Sequence, residues 1–314
     1  MKAYDLRPLG IGEILDRAVT LFVGRFASLV LILALITVPL AIVQYLAQPD
    51  TAALLGDLQR LLSVPPGDTA QRGQILRQIS AASALSGWVY ASIGFALLAA
   101  PLGSTACIIA LREAYGGRDI SVRAVYAEAA RRWPAQIGTG LLFVGILLLA
   151  IVAASLVFLV FALAIGAVSV LSHPAGIVVG IPLGILAFAV IFAGYALAYL
   201  TYQLAVISIA IDEPNPIRAT GRAVQQAFAR TLFWRSLAVA VIVLVVQTVG
   251  IYLCIALGAG LALVTHLSAL YPVIVTVGGV MLSAFLASYY VVYSFDIRVR
   301  REGYDLAVAL QADS

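Results

Sequence analysis

The sequence predicts an all-α membrane protein: six transmembrane helices built as three repeats of a cytoplasmic amphipathic helix plus a two-span hairpin, with both termini cytoplasmic. Three observations predict it. Hydrophobic residues make up 63% of the 314 and charged residues only 11%, where a soluble domain is about a quarter charged. Six apolar runs of bilayer length contain no Asp, Glu, Lys or Arg. The tripeptide Arg-Ala-Val recurs as RAVTLFVGR (17–25), RAVYAEAAR (123–131) and RAVQQAFAR (222–230), each with a second Arg eight residues on and an apolar run after it.

Taken in order, residues 1–26 carry Lys2, Arg7, Arg17 and Arg25 and precede a first span at 27–47. That run is too long for a signal-peptide core and has no small-residue cleavage site behind it, so it reads as a retained span. In the amphipathic segment before it, Ile11, Ile14, Leu15, Ala18, Leu21 and Phe22 share one face, opposite Glu13, Asp16, Arg17 and Thr20. The 48–84 loop shows two short helical patterns. One carries Leu54, Leu55, Leu58, Leu61 and Leu62; the other is capped by Asp68 and presents Ile75, Leu76 and Ile79. They read as a cover over the bundle or on the outer interface, or as a substrate lid.

The second span lies at 85–111 and the second basic segment at 112–135, with Arg112, Arg118, Arg123, Arg131 and Arg132. Spans at 136–163 and 176–204 form a hairpin through 164–175. A third basic segment, 205–235, carries Arg218, Arg222, Arg230 and Arg235, and within it Asn215 and Pro216 suit the N-cap and first position of a helix. Spans at 236–263 and 271–295 enclose a hairpin at 264–270, and the tail holds Arg298, Arg300 and Arg301.

Alternate segments thus hold 16 of the 19 basic residues, an asymmetry that places them, and both termini, in the cytoplasm. The chain is expected in the bacterial cytoplasmic (inner) membrane. Its net charge of +4 is then a topology signal, and no nucleic-acid partner is expected. One membrane domain covers 1–314, with repeat units at about 8–111, 114–211 and 213–296 and a tail at 297–314. An acid precedes the later Arg-Ala-Val copies by ten residues, as Glu113 and Asp212, and Asp296 stands likewise before Leu306-Ala307-Val308.

Chemistry-bearing residues are sparse. His173 and His266 sit at hairpins without neighbouring carboxylates, and Cys107 and Cys254 lie inside apolar runs as packing residues. The sequence predicts no enzyme, cofactor or metal. The paired arginines Arg17, Arg25, Arg123, Arg131, Arg222 and Arg230 read as interfacial anchors, or as a basic vestibule for a lipid head group or protein partner. Gly176, Gly180 and Gly184 repeat every four residues on span 4, a pattern for close helix packing within the chain or in a homo-oligomer, and Pro182 lies among them. Tyr195, Tyr199 and Tyr202 on span 4, with Tyr289, Tyr290 and Tyr293 on span 6, outline a candidate groove. Tyr195 lies 17 residues before Asp212, too deep for an interfacial belt, so its hydroxyl is expected to find a partner in the bundle.

Two terminal stretches, LRPLGIGEILDRAVTLF (6–22) and YSFDIRVRREGYDL (293–306), resemble the opening and closing signatures of the bacterial glycerophosphoryl diester phosphodiesterase membrane-domain family. The resemblance implies a membrane module that accompanies envelope or lipid-related enzymes. The metal-binding His and Glu of the phosphodiesterase itself have no matching positions here, so no catalytic residue is carried over. The expected role is a non-catalytic scaffold, anchor or regulator in contact with membrane lipids. The alternative is a lipid or small-amphiphile transporter using the tyrosine groove, for which spans without charge are no obstacle.

Overall fold

A computed structural model describes residues 7–47, 60–61, 63–65, 68–82, 87–171, 173–212, 215–265, 267 and 270–302. Among them are nine helices and no strand: α1 (Ile11–Gly24), α2 (Phe26–Ala47), α3 (Thr69–Ala82), α4 (Gly87–Tyr115), α5 (Val122–Leu171), α6 (His173–Ile211), α7 (Pro216–Ala227), α8 (Phe233–Thr265) and α9 (Leu270–Glu302). Six of these, α2, α4, α5, α6, α8 and α9, are long and apolar enough to cross a membrane. This is the architecture of a multi-pass helical membrane protein. Helices answer the apolar composition because each satisfies its own backbone groups where no water is present to do so.

The six helices coincide with the six expected spans but overrun them. The third expected span, 136–163, is the middle of a 50-residue helix that starts at Val122. At 1.5 Å per residue α5 is about 75 Å long, well beyond a hydrocarbon core of roughly 30 Å. The second Arg-Ala-Val copy is therefore not a separate amphipathic helix. It forms the opening turns of α5, which runs on through Pro134. The first and third copies do lie on short helices, α1 and α7, each followed by a break, at Arg25 and at 228–232. The expected hairpin at 164–175 is likewise mostly helix, since α5 ends at Leu171 and α6 begins at His173. The expected first loop helix (Leu54 to Leu62), His266 and the tail from 303 lie largely or wholly outside the described residues.

Helix ends follow local chemistry. Asn215 caps α7, accepting from the Ile217 and Arg218 N–H groups at 3.0 and 3.3 Å, with Pro216 in the first turn. Gly117, at φ 75°, closes α4 in the left-handed conformation that glycine adopts without strain. At α1 the Gly10 N–H donates to the Glu13 carboxylate at 2.6 Å. This bond and the Arg7 guanidinium hold the Glu13 carboxyl below the usual carboxylate range.

The chain forms two compact units, residues 34–100 and residues 1–33 with 101–314. In the smaller unit Asp68 caps α3 by accepting from the Gln71 N–H at 3.0 Å, and Val64 and Ile75 are buried. In the larger unit α5 packs on α6, α8 on α9, α7 and α8 on α6, and α1 on α9. α1 buries Ile14, Ala18 and Leu21 from its expected apolar face, while Leu15 stays exposed.

Close helix approach occurs where no spacing motif marked it. Gly278 of α9 faces Cys254 of α8 with no room for a methyl group, and a Cβ at Gly250 would lie 2.9 Å from Leu282. A Cβ at Gly184 would meet nothing within 4 Å, so among the described residues Gly184 itself makes no close packing contact. Gly278→Ala should accordingly destabilise the protein by about 1–3 kcal/mol through overpacking. Gly184→Ala should stay within about 0.5 kcal/mol of the parent. Reversible unfolding in mixed detergent micelles measures both, and equal effects would contradict the packing described.

Candidate functional site

The arginine-rich segments converge at one end of the larger unit, where they are largely consumed by internal contacts. Their centre is Asp296, whose side chain is completely buried. Its carboxylate accepts from Arg235 at 2.8 Å, from Arg300 Nε at 3.0 and 3.2 Å, and from the Leu9 N–H at 2.7 Å. The Leu9 carbonyl in turn accepts from Arg235 and Arg300 at 2.6 and 2.7 Å. One residue before α1 is thus held at both backbone groups by side chains of α8 and α9. These contacts join the segment before α1 to the end of α9.

A second carboxylate, Asp212 just after α6, pairs with Arg298 and lies 3.8 Å from Arg222. Around the third, Glu113, stand Arg112 at 2.8 Å and Arg118 at 2.7 Å, and Arg112 reaches Glu128 of α5 at 3.2 Å. Arg132 bridges Glu128 at 3.0 Å and the Ile209 carbonyl at 2.7 Å, supplying a cation to the C-terminal end of α6. Arg301 does the same for α7 through the Gln225 carbonyl at 2.8 Å.

The six expected contact arginines therefore divide. Arg17 donates to the Tyr115 hydroxyl at 3.1 Å, Arg25 pairs with Asp119 at 3.2 Å, and Arg222 faces Asp212. Arg123, Arg131 and Arg230 are exposed and form no ion pair with another described residue. Arg235 and Arg300 hold Asp296 and Arg298 holds Asp212, and none of these three is among the six. Their signal was legible only as the positions of Asp212 and Asp296 at span ends.

α7 presents three faces. Ala219, Ala223 and Ala227 are buried, which lets the helix lie close to α6. Ile217, Val224 and Phe228 fall on one side by helical spacing and are exposed at 72%, 41% and 50%. Arg218 and Arg222 lie together on one side of that stripe by helical spacing, and Trp234, 76% exposed, is the second residue of α8.

The tyrosines do not form one groove. Tyr202 stacks on Phe143 of α5 at 4.4 Å, on another side of α6 from Tyr199 and Tyr290. Tyr293 is fully buried with its hydroxyl 3.0 Å from Ser236, and Tyr289 is buried with an unpartnered hydroxyl. Tyr195, Tyr199 and Tyr290 form a ladder, with ring centroids 6.4 and 6.3 Å apart. Tyr195 is 46% exposed on the surface of the unit.

Beside this ladder lies a cavity of about 230 Å³, enclosed by α2, α4, α6, α8 and α9. Its polar lining consists of Ser104, Tyr199, Gln203, Gln247, Ser283 and Tyr290, and no charged residue takes part. Gln203 and Gln247 share this lining with Tyr199, and the buried Gln247 Oε1 has no hydrogen-bond partner among the described residues. Among the described residues no three His, Cys, Asp or Glu side chains converge as metal ligands. Compared with known proteins, the chain matches no family model, no curated protein and no solved structure.

Removing the buried Asp296 carboxylate leaves Arg235 and Arg300 facing each other and frees the Leu9 N–H. Asp296→Ala should cost about 3–5 kcal/mol, nearer the lower figure because both guanidinia retain some water contact. Arg123→Gln should cost less than about 0.5 kcal/mol. Unfolding in mixed micelles followed by circular dichroism tests the pair. An Asp296→Ala loss no larger than that of Arg123→Gln would refute the role given to the carboxylate.

Proposed function

We propose that the protein is a non-catalytic membrane module of the bacterial cytoplasmic membrane that anchors on anionic phospholipid and offers a rigid basic platform to envelope or lipid-related proteins. The observation that supports this most is the three-faced α7. Its exposed apolar stripe of Ile217, Val224 and Phe228 suits the acyl boundary. Trp234 suits the head-group level. Arg218 and the exposed Arg230 suit lipid phosphates.

In this reading the arginine-rich end faces the cytoplasm, with both termini on that side. The short helices α1 and α7, and the first turns of α5, are related uses of one basic segment. The internal ion pairs make that end stiff, as a platform requires. The terminal resemblance to the glycerophosphoryl diester phosphodiesterase membrane-domain family agrees with such a role and belongs to the same proposal.

Two measurements test it. In vesicles containing phosphatidylglycerol the purified protein should melt at a higher temperature than in pure phosphatidylcholine, and the gain should shrink at high salt as exposed charges are screened. Arg218→Gln with Arg230→Gln should remove most of the gain while leaving the phosphatidylcholine value unchanged. Reporters fused after residue 65 and after residue 120 should read as extracytoplasmic and cytoplasmic respectively. No dependence on anionic lipid, or inverted reporters, would overturn the proposal.

A further inference from the structure

The cavity beside Tyr199 does not end at its own walls. A second, more open hollow of about 360 Å³ lies on the α6–α8 side, lined by Tyr195, Leu244, Gln247, Thr248, Ile251, Tyr252 and Ile255. Gln247 and Ile251 line both hollows. Tyr195 and Tyr252, exposed at 46% and 65%, form part of its outer rim. The inner hollow gathers polar but no charged side chains within a largely apolar wall, the outer one is more apolar still, and Gln247, whose buried Oε1 has no donor among the described residues, lines both.

Depth narrows what can fill them. Gln247 is the fifteenth residue of the 33-residue α8, about 21 Å along the helix from Phe233 and so near the middle of the span. An ionised head group there would be strongly disfavoured without a counter-charge, and none lines either hollow. An acceptor without a donor, close to bilayer mid-depth, costs free energy unless a bound group donates to it. The matching group is a hydroxyl. The apolar lining of the outer hollow suits hydrocarbon more than water, and its exposed rim lets a chain enter sideways from the bilayer.

We propose that the two hollows together bind one neutral hydroxylated lipid of the acylglycerol class. A glycerol hydroxyl donates to Gln247 Oε1 among Tyr199, Gln203 and Ser283, and the acyl chain leaves past Ile251 along Tyr195, Thr248 and Tyr252. The site is independent of the basic platform, which addresses charged lipid at the far end of the same helices. It requires no chemical step and marks the chain as a receptor or carrier for a neutral lipid.

The test uses the full chain in phosphatidylcholine vesicles with a monoacylglycerol carrying a photoreactive diazirine in its acyl chain. Labelling should saturate and map to peptides containing Tyr195, Thr248 or Tyr252. Excess monoolein should compete, whereas methyl oleate, with the same chain and no hydroxyl, should not. Gln247→Leu should weaken binding about tenfold, the effect of one lost buried hydrogen bond. Ile251→Trp, which plugs the junction but keeps Gln247, should abolish labelling of the outer peptides, so the proposal does not rest on one variant's folding. Non-saturable or absent labelling, equal competition by methyl oleate, or unchanged labelling in both variants would overturn it, leaving a water-filled cavity.

Discussion

The larger unit is organised around one buried carboxylate. Asp296 has no exposed side-chain surface, and an isolated ionised carboxylate in that position would be costly. Its burial is sustainable because Arg235, Arg300 and the Leu9 N–H each donate to it. Those three donors come from α8, α9 and the segment before α1. Neutralising a single charge therefore forces the chain's beginning to meet its last two spans, and α1 then lays Ile14, Ala18 and Leu21 into the core against α9.

Related solutions recur around it. Asp212 with Arg298, and Glu113 and Glu128 with Arg112 and Arg132, join further helix ends at the same end of the unit. The charge that a membrane chain must keep out of hydrocarbon is thereby used to lock one end of the bundle. The remainder of each long helix is free to be apolar. Among its polar groups, Gln203, Gln247, Tyr199 and Tyr290 are uncharged side chains that gather about one cavity. A charged end and an uncharged interior suit different lipids, so the two proposed sites draw on different residues.

Much of this was legible residue by residue. Charge-free runs located all six long helices, and Asn215-Pro216 located the start of α7, because hydropathy and capping act locally. Of the apolar face expected on α1, the helically spaced Ile14, Ala18 and Leu21 are buried, while Leu15 is exposed. Other expectations failed for reasons a spacing rule does not contain. Arg17, Arg25 and Arg222 looked available to a ligand, yet each is engaged by a residue at least ten positions away. Six tyrosines on two spans outlined one candidate groove, but Tyr202 stacks on Phe143 of α5, and Tyr293 is buried against Ser236. Gly184 carried the packing motif, whereas Gly278 and Gly250 make the close contacts.

The sequence by itself determined that the chain is a membrane protein with six long apolar helices and with its basic residues concentrated in alternate segments, because both properties follow from the free energy of placing each residue in hydrocarbon or water. The tertiary structure alone decided which arginines are consumed by Asp296 and Asp212, which tyrosines share a cavity, and that Gln247 is left with an unmatched acceptor. Those outcomes depend on how helices distant in the chain rotate and cross, and no local pattern encodes a rotation.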